Sequence, residues 1–339
     1  MSVEIFLSEL MDPAHEVTSV GLTQLSGLMD EDERAFQERW GELPAPRRHE
    51  VMGKLLELAD GNVELDFTGV FSHALSDEQG SVREQALSGL WESDDRHLIP
   101  LMVERLEHDM EDQVRAAAAL GLGHFAVLAE ADKLVARDKE RVFQALMRSL
   151  EDEDEPIAVR RRALESVASF RDPDVREWIR WGYDHVDPFL RQSALFAMGR
   201  SCEAEWLPYV SREMTSGDPA MRFEAANAAR EMGEPEAVRY LVEMVDDPDV
   251  DVSYAALRAI GGIGGAKARS FLRAFLASAE DEGSREAAEE ALQILEVEYG
   301  DFSMLNAGRG GVEMGSIGRP EIDANSIELD DIDDIDDEE

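Results

Sequence analysis

The sequence predicts an all-α solenoid of about nine antiparallel helical hairpins, followed by a disordered acidic C-terminal tail. Three observations carry that expectation. A segment of the Val-Arg-x-x-Ala type recurs at Arg83, Arg115, Arg160, Arg191 and Arg222, with Leu190 and Met221 in the valine's place in the last two, and looser copies follow at Ser253 and Arg285; the steps are 32, 45, 31, 31, 31 and 32 residues. Each copy lies between apolar stripes at helical spacing, separated by short Asp-, Gly- or Pro-bearing turns. Acids outnumber bases 75 to 33, for a formal net charge of −42 in 339 residues. A fixed period of this size marks stacked repeats, in which each hairpin leaves apolar surface for its neighbours to cover. It also directs the search for function to an extended surface rather than one deep pocket.

Taken in order, residues 1–63 read as degenerate helical repeats, where Asp12-Pro13 and Asp60-Gly61 punctuate apolar helical stretches. Residues 64–300 form the regular array. In one hairpin, Trp206, Leu207, Val210 and Met214 share a first-helix face, and Met221, Ala225, Ala228 and Met232 share a second-helix face. Between them Gly217-Asp218-Pro219 breaks the chain, with Asp218 as a cap and Pro219 suited to the next first turn. The following hairpin repeats the pattern around Asp247-Pro248-Asp249. The 45-residue step marks an insertion between Phe125 and Val142 that lengthens a helix or adds a turn. Gly261-Gly262-Ile263-Gly264-Gly265 reads as an inter-repeat turn. Residues 301–320 form a Gly-rich linker, and residues 321–339 hold eleven acids and no base, the composition of a disordered tail.

These segments resemble HEAT repeats, particularly the short bacterial kind found in phycobilin-lyase-type proteins, over about residues 64–296. The resemblance implies a right-handed solenoid and a ladder in which a turn aspartate and the arginine six residues later bond between repeats. Asp77/Arg83, Asp109/Arg115 and Asp154/Arg160 match that spacing. His185 and Ser216 stand in the acid's place before Arg191 and Arg222, so the ladder is expected to break there. The resemblance also implies that second helices line a concave binding face.

The composition narrows the function. A surface this acidic repels phosphate, which excludes bulk nucleic-acid and anionic-membrane binding. No apolar run approaches the roughly 20 residues of a membrane span, the N-terminus lacks a basic leader, and Cys202 is the lone cysteine. A cytoplasmic protein is expected. No GxSxG, HExxH, P-loop or paired CxxC motif occurs. Asp247 to Asp251 opens like a calcium loop but has Val252 where glycine is required and Arg258 where the bidentate acid belongs. Deoxyhypusine hydroxylases share the repeat architecture and hold a di-iron centre through several His-Glu pairs on second helices. Only His15-Glu16 and His49-Glu50 occur here, and only His49 follows an arginine in the register of that family. One pair cannot ligate two irons, so no metal, no cofactor and no enzymatic activity are expected.

The expected function is therefore a non-enzymatic scaffold or assembly adaptor that binds a protein, possibly a basic one. A cofactor-handling enzyme of the phycobilin-lyase-like type is the alternative, and an acidic chaperone or nucleic-acid mimic for a basic protein is a third. Candidate partner-binding residues are Arg161, Arg162, Arg180, Trp181, Tyr183, Phe223 and Tyr254, in or beside an Arg- and aromatic-rich section, types enriched at interface hot spots. Trp178 and Trp206, by contrast, fall on core faces. In the tail, Ile327, Leu329, Ile332 and Ile335 form an apolar motif within the acids, fit to order on binding.

Overall fold

The computed structural model describes residues 3–12, 14–279 and 281–299, and these contain eighteen α-helices and no strand. The first four are α1 (Val3–Leu10), α2 (Ser19–Leu22), α3 (Asp30–Trp40) and α4 (Ala45–Gly61). Seven hairpins follow: α5 (Thr68–Ala74) with α6 (Gly80–Gly89), α7 (Leu98–His108) with α8 (Asp112–Glu130), and α9 (Ala136–Glu151) with α10 (Ile157–Val167). Then come α11 (Pro173–Asp184) with α12 (Pro188–Ser201), α13 (Leu207–Glu213) with α14 (Pro219–Met232), α15 (Val238–Met244) with α16 (Val250–Ile263), and α17 (Gly265–Ser278) with α18 (Glu282–Tyr299). At the N-terminus α1 packs on α3 and α2 on α4, so the two rows of helices continue into the irregular part. Residues 1–299 make one compact unit; the Gly-rich linker and the tail motif Ile327, Leu329, Ile332 and Ile335 lie outside the described residues.

The local chemistry of the turns explains where the helices start and stop. Asp172, Asp187, Asp218 and Asp249 cap α11, α12, α14 and α16 through side-chain oxygens that accept first-turn backbone N–H groups. Pro173, Pro188 and Pro219 occupy first turns, where no backbone donor is needed. At the other ends, Cys202, Gly233 and Gly264 close α12, α14 and α16 at 31-residue intervals, each with positive φ. Glycine suits that conformation, and Cys202 adopts it against its Cβ.

One row packs far more closely than the other. Second helices stack in an unbroken series from α4 to α18, while α11, α13 and α15 chiefly touch their hairpin partners. Small residues make this possible. A Cβ on Gly199 of α12 would lie 2.6 Å from the Ala228 Cα of α14, and one on Gly261 would lie 2.4 Å from the Ala291 carbonyl oxygen of α18. In a stack that bends, the closely spaced row is the inner one, because a bend brings helices together on its concave face.

Two details differ from the sequence reading. Gly261 and Gly262 belong to α16, and the turn is confined to Gly264, with Gly265 opening α17, because small residues serve the close helix approach before they serve the turn. The insertion lengthens the two helices that flank it, the second of one hairpin and the first of the next: α8 has 19 residues and α9 has 16. Among the described residues no helix is long and apolar enough to cross a membrane.

Candidate functional site

A line of buried and half-buried arginines runs along the turns. Arg48 meets Asp77 at 2.8 Å, Arg83 holds Asp109 at 2.6 and 2.7 Å, and Arg222 holds Asp247 at 2.7 and 2.8 Å. Arg115 bonds Glu155 at 2.9 Å. Each arginine therefore takes its carboxylate from the next repeat. The six-residue spacing reflects a different bond, to the backbone carbonyl of the arginine's own turn: Arg83 to Asp77, Arg115 to Asp109, and Arg222 to Ser216, at 2.8–2.9 Å. Bidentate charge-assisted bonds of this kind are strong and geometrically specific. The Asp109 and Asp247 carboxyls are held below the usual range: at Asp109 burial is the largest single influence and raises the pKa, but the hydrogen bonds from Arg83 and the Glu111 backbone and the Arg83 and Arg105 charges together outweigh it, and at Asp247 the Arg222 bond leads.

Three ladder expectations are corrected. Asp154 is exposed and outside the ladder, because the longer turn makes Asp152 its capping acid and Glu155 the partner of Arg115. Arg222 is fully engaged, since its acid comes from Asp247 rather than from its own turn. The break falls one repeat earlier, at Arg160 and Arg191. Arg160 has no carboxylate within 4 Å among the described residues; its Nε donates to the Leu150 carbonyl at 3.0 Å, and its guanidinium lies 4.4 Å from the Trp181 ring. Arg191 reaches Glu213 only at 3.9 Å.

The candidate contact residues separate into two groups. Tyr183 is 4% exposed and its hydroxyl donates to Glu213 while Arg212 donates to it, so it belongs to the interior. Trp181, Phe223 and Tyr254 are half-buried and packed on the core. Their position against a neighbouring helix row, which periodicity within one helix does not report, explains the difference. Arg161 donates to Ser193 at 2.9 Å and lies over Phe189, Arg162 pairs with Glu165 at 2.6 Å, and Arg180 bonds Glu177. Trp206 is buried as expected, and Trp178 is half-buried against the core.

A cleft of about 250 Å³ crosses α6, α8, α10 and α12 on the inner row, lined by residues that sequence reasoning passed over. Trp91, Leu120 and Phe196 give it exposed apolar walls, and Glu165, Ser166, His124 and Arg200 bring polar groups to it. Leu120, Glu165 and Phe196 each stand five residues after a ladder arginine, so one helical position faces the cleft in three successive repeats. That register was the available signal. The buried Ser166 hydroxyl has no hydrogen-bond partner among the described residues, while His124 bonds Asp94 at 2.7 Å. Glu165 is buried and accepts from Arg162 and from Ser193, the latter at 2.5 Å. On α14, burial and the Glu165 charge push the Glu224 carboxyl up to about 7, against a hydrogen bond from Gln192. A carboxyl poised there exchanges protons at neutral pH.

The donor set of a di-iron centre does not assemble. His49 and Glu50 are exposed, and Glu50 is taken by Arg47 and Lys54. The same register on later second helices carries Glu84-Gln85, Ala116-Ala117, Arg161-Arg162 and Gln192-Ser193. Among the described residues no three His, Cys, Asp or Glu side chains come together as metal ligands would. The residues present do not fit two irons.

Residues 207–293 match the family described as HEAT repeats. The chain is 28% identical to deoxyhypusine hydroxylase of Mus musculus over 124 residues, covering 36% of this chain and 41% of the relative. It is 26% identical to that of Homo sapiens over 116 residues, 34% of this chain and 38% of the relative. The match thus spans about two fifths of the length of these curated relatives. Among solved structures, human deoxyhypusine hydroxylase in complex with glycerol is 18% identical, with 87% of this chain and 96% of that chain covered and a TM-score of 0.34. Importin beta is 14% identical, with 86% and 46% covered and a TM-score of 0.46. The relatives correct the expectation of a chain without enzymatic activity: the curated proteins it matches are named as an enzyme.

Proposed function

From the HEAT repeats this chain carries, we propose that it is an enzyme-type solenoid that handles a ligand on the inner row of helices, in the cleft between α6 and α12. One observation carries the reading: apolar Trp91, Leu120 and Phe196 converge there with the buried Glu165 and the unpartnered Ser166 hydroxyl. An apolar cleft with a few fixed polar groups suits a small organic substrate or cofactor with an apolar body and one hydrogen-bonding end. Ser166 meets that end, Arg162 and Ser193 hold Glu165 in place, and Glu224 supplies a proton-exchanging carboxyl one helix away. Iron has no part in this reading, because the described residues do not assemble its ligands. The test is mass spectrometry of small molecules retained by full-length protein after incubation with a metabolite extract. A retained compound should fall at least tenfold in Leu120→Arg, which blocks the exposed cleft wall; equal retention by both proteins sinks the reading.

A second reading is favoured by the length of the apolar row. Trp91, Leu120, Phe196 and Phe189 are exposed on or beside α6, α8 and α12, and such a row suits an extended polypeptide. Cross-linking from position 196 that yields a peptide and no small molecule selects this reading over the first.

A further inference from the structure

The turns of six successive repeats share one device. Asp77, Asp109, Asp152, His185, Ser216 and Asp247 each accept the backbone N–H two residues on, at 2.9–3.4 Å. Where that residue is Asp77, Asp109 or Asp247, its carboxylate also receives the arginine of the preceding repeat. At His185 the turn geometry is kept and the carboxylate is gone.

The arginine that faces this turn, Arg160, is nonetheless buried like its counterparts, 7% exposed against 6% for Arg48 and 8% for Arg83. Its guanidinium lies over the Trp181 ring at 4.4 Å and near Trp178 at 5.8 Å, and Trp181 in turn contacts His185. Among the described residues only its Nε is hydrogen-bonded, to the Leu150 carbonyl. Asp152 and Glu153 act on it only from beyond ion-pair distance. A buried guanidinium without a counter-ion is costly, and desolvation lowers its hold on the proton. The indole faces offset part of that cost and leave the planar edge of the fork unused.

We propose that Arg160, flanked by Trp181 and His185, is a carboxylate-binding site that accepts from a ligand the acidic group other rungs receive from the next repeat. The chemistry is a bidentate guanidinium–carboxylate pair beside an aromatic wall. The carboxylate comes from an acidic peptide or from a free organic acid. The site stands apart from the cleft on the inner row, so its fate and that of the cleft are separable.

The test is a titration of the full chain with sodium acetate, and with an amide-capped peptide carrying one internal glutamate, at ionic strength matched with sodium chloride. The readouts are the Arg160 guanidinium resonances and tryptophan fluorescence. A saturable response is expected, lost at least tenfold in Arg160→Lys and kept in Arg222→Lys, whose rung is filled internally. Tighter binding of the peptide identifies a protein source, and tighter binding of acetate a small acid. His185→Asp, which supplies the carboxylate from within, should silence the response and raise the melting temperature. A response no different from chloride, or one unchanged in both Arg160→Lys and His185→Asp, overturns the site.

Discussion

The rungs at Arg83 and Arg222 and the rung at Arg160 are built on the same helix position and the same turn, yet they solve the burial of a guanidinium differently. At Arg83 and Arg222 the next repeat supplies a carboxylate at 2.6–2.8 Å. At Arg160 an indole face stands in its place at 4.4 Å. The contrast teaches that a repeat array is not uniform in its electrostatics even where its backbone is. The regular rungs bind repeat to repeat, and the departures gather in the hairpins from α9 to α12, beside the inner cleft. Cys202 is another departure, taking the positive-φ position that Gly233 and Gly264 occupy in the next two repeats.

The largest expected difference lies between two truncations. Arg83→Ala leaves the buried Asp109 carboxylate only its longer 3.3 Å contact with Arg105 and should cost about 3 kcal/mol in urea unfolding. Arg160→Ala strands no acid and should cost only about 1–2 kcal/mol, the worth of a desolvated cation–π contact with its packing. Acid titration sharpens the same contrast. Because the folded-state pKa values of Asp109 and Asp247 are depressed, their contribution is present above the unfolded carboxylate range and is lost as pH falls through the folded values. Glu224 has the opposite sign. Its pKa is raised from 4.5 to about 7, so stability is lost as pH rises through that interval, and Glu224→Gln should flatten that limb of a pH–stability profile.

Smaller effects separate packing from charge. Gly199→Ala and Gly261→Ala each press a methyl into the neighbouring helix backbone and should each cost about 1–3 kcal/mol by thermal unfolding. Similar costs at both would show that close stacking continues through the broken rungs. Cys202→Gly relieves a positive-φ Cβ and should gain up to about 1 kcal/mol, detectable as a small rise in melting temperature.

The period of the Val-Arg segment made the hairpins legible, because a 31-residue repeat with alternating apolar stripes has few packed solutions. The cap at Asp218 was equally readable, since capping is settled within a few residues. The ladder was only half readable. Spacing within one repeat identifies the arginine and its turn, but the carboxylate comes from the following repeat, 25 or 26 residues away for Arg222 and Arg83, or 40 for Arg115. Tyr183 shows the same limit: at the end of α11 it looks peripheral, and only the neighbouring hairpin, through Glu213 and Arg212, encloses it. The cleft was hidden for that reason too, since Trp91 and Arg200 meet across four helices separated by more than a hundred residues.

The difference between filled and open rungs reduces to a pair of coupling energies. Double-mutant cycles at Arg222/Asp247 and at Arg191/Glu213, read by urea unfolding, report each pair free of the packing lost in single truncations. The contacts are 2.7 Å at the first pair and 3.9 Å at the second. The expected couplings are above about 1.5 kcal/mol for Arg222/Asp247, a charge-assisted pair, and below about 0.5 kcal/mol for Arg191/Glu213, a distant one. Equal couplings at the two rungs would show that the ladder runs unbroken and that the central hairpins are not set apart.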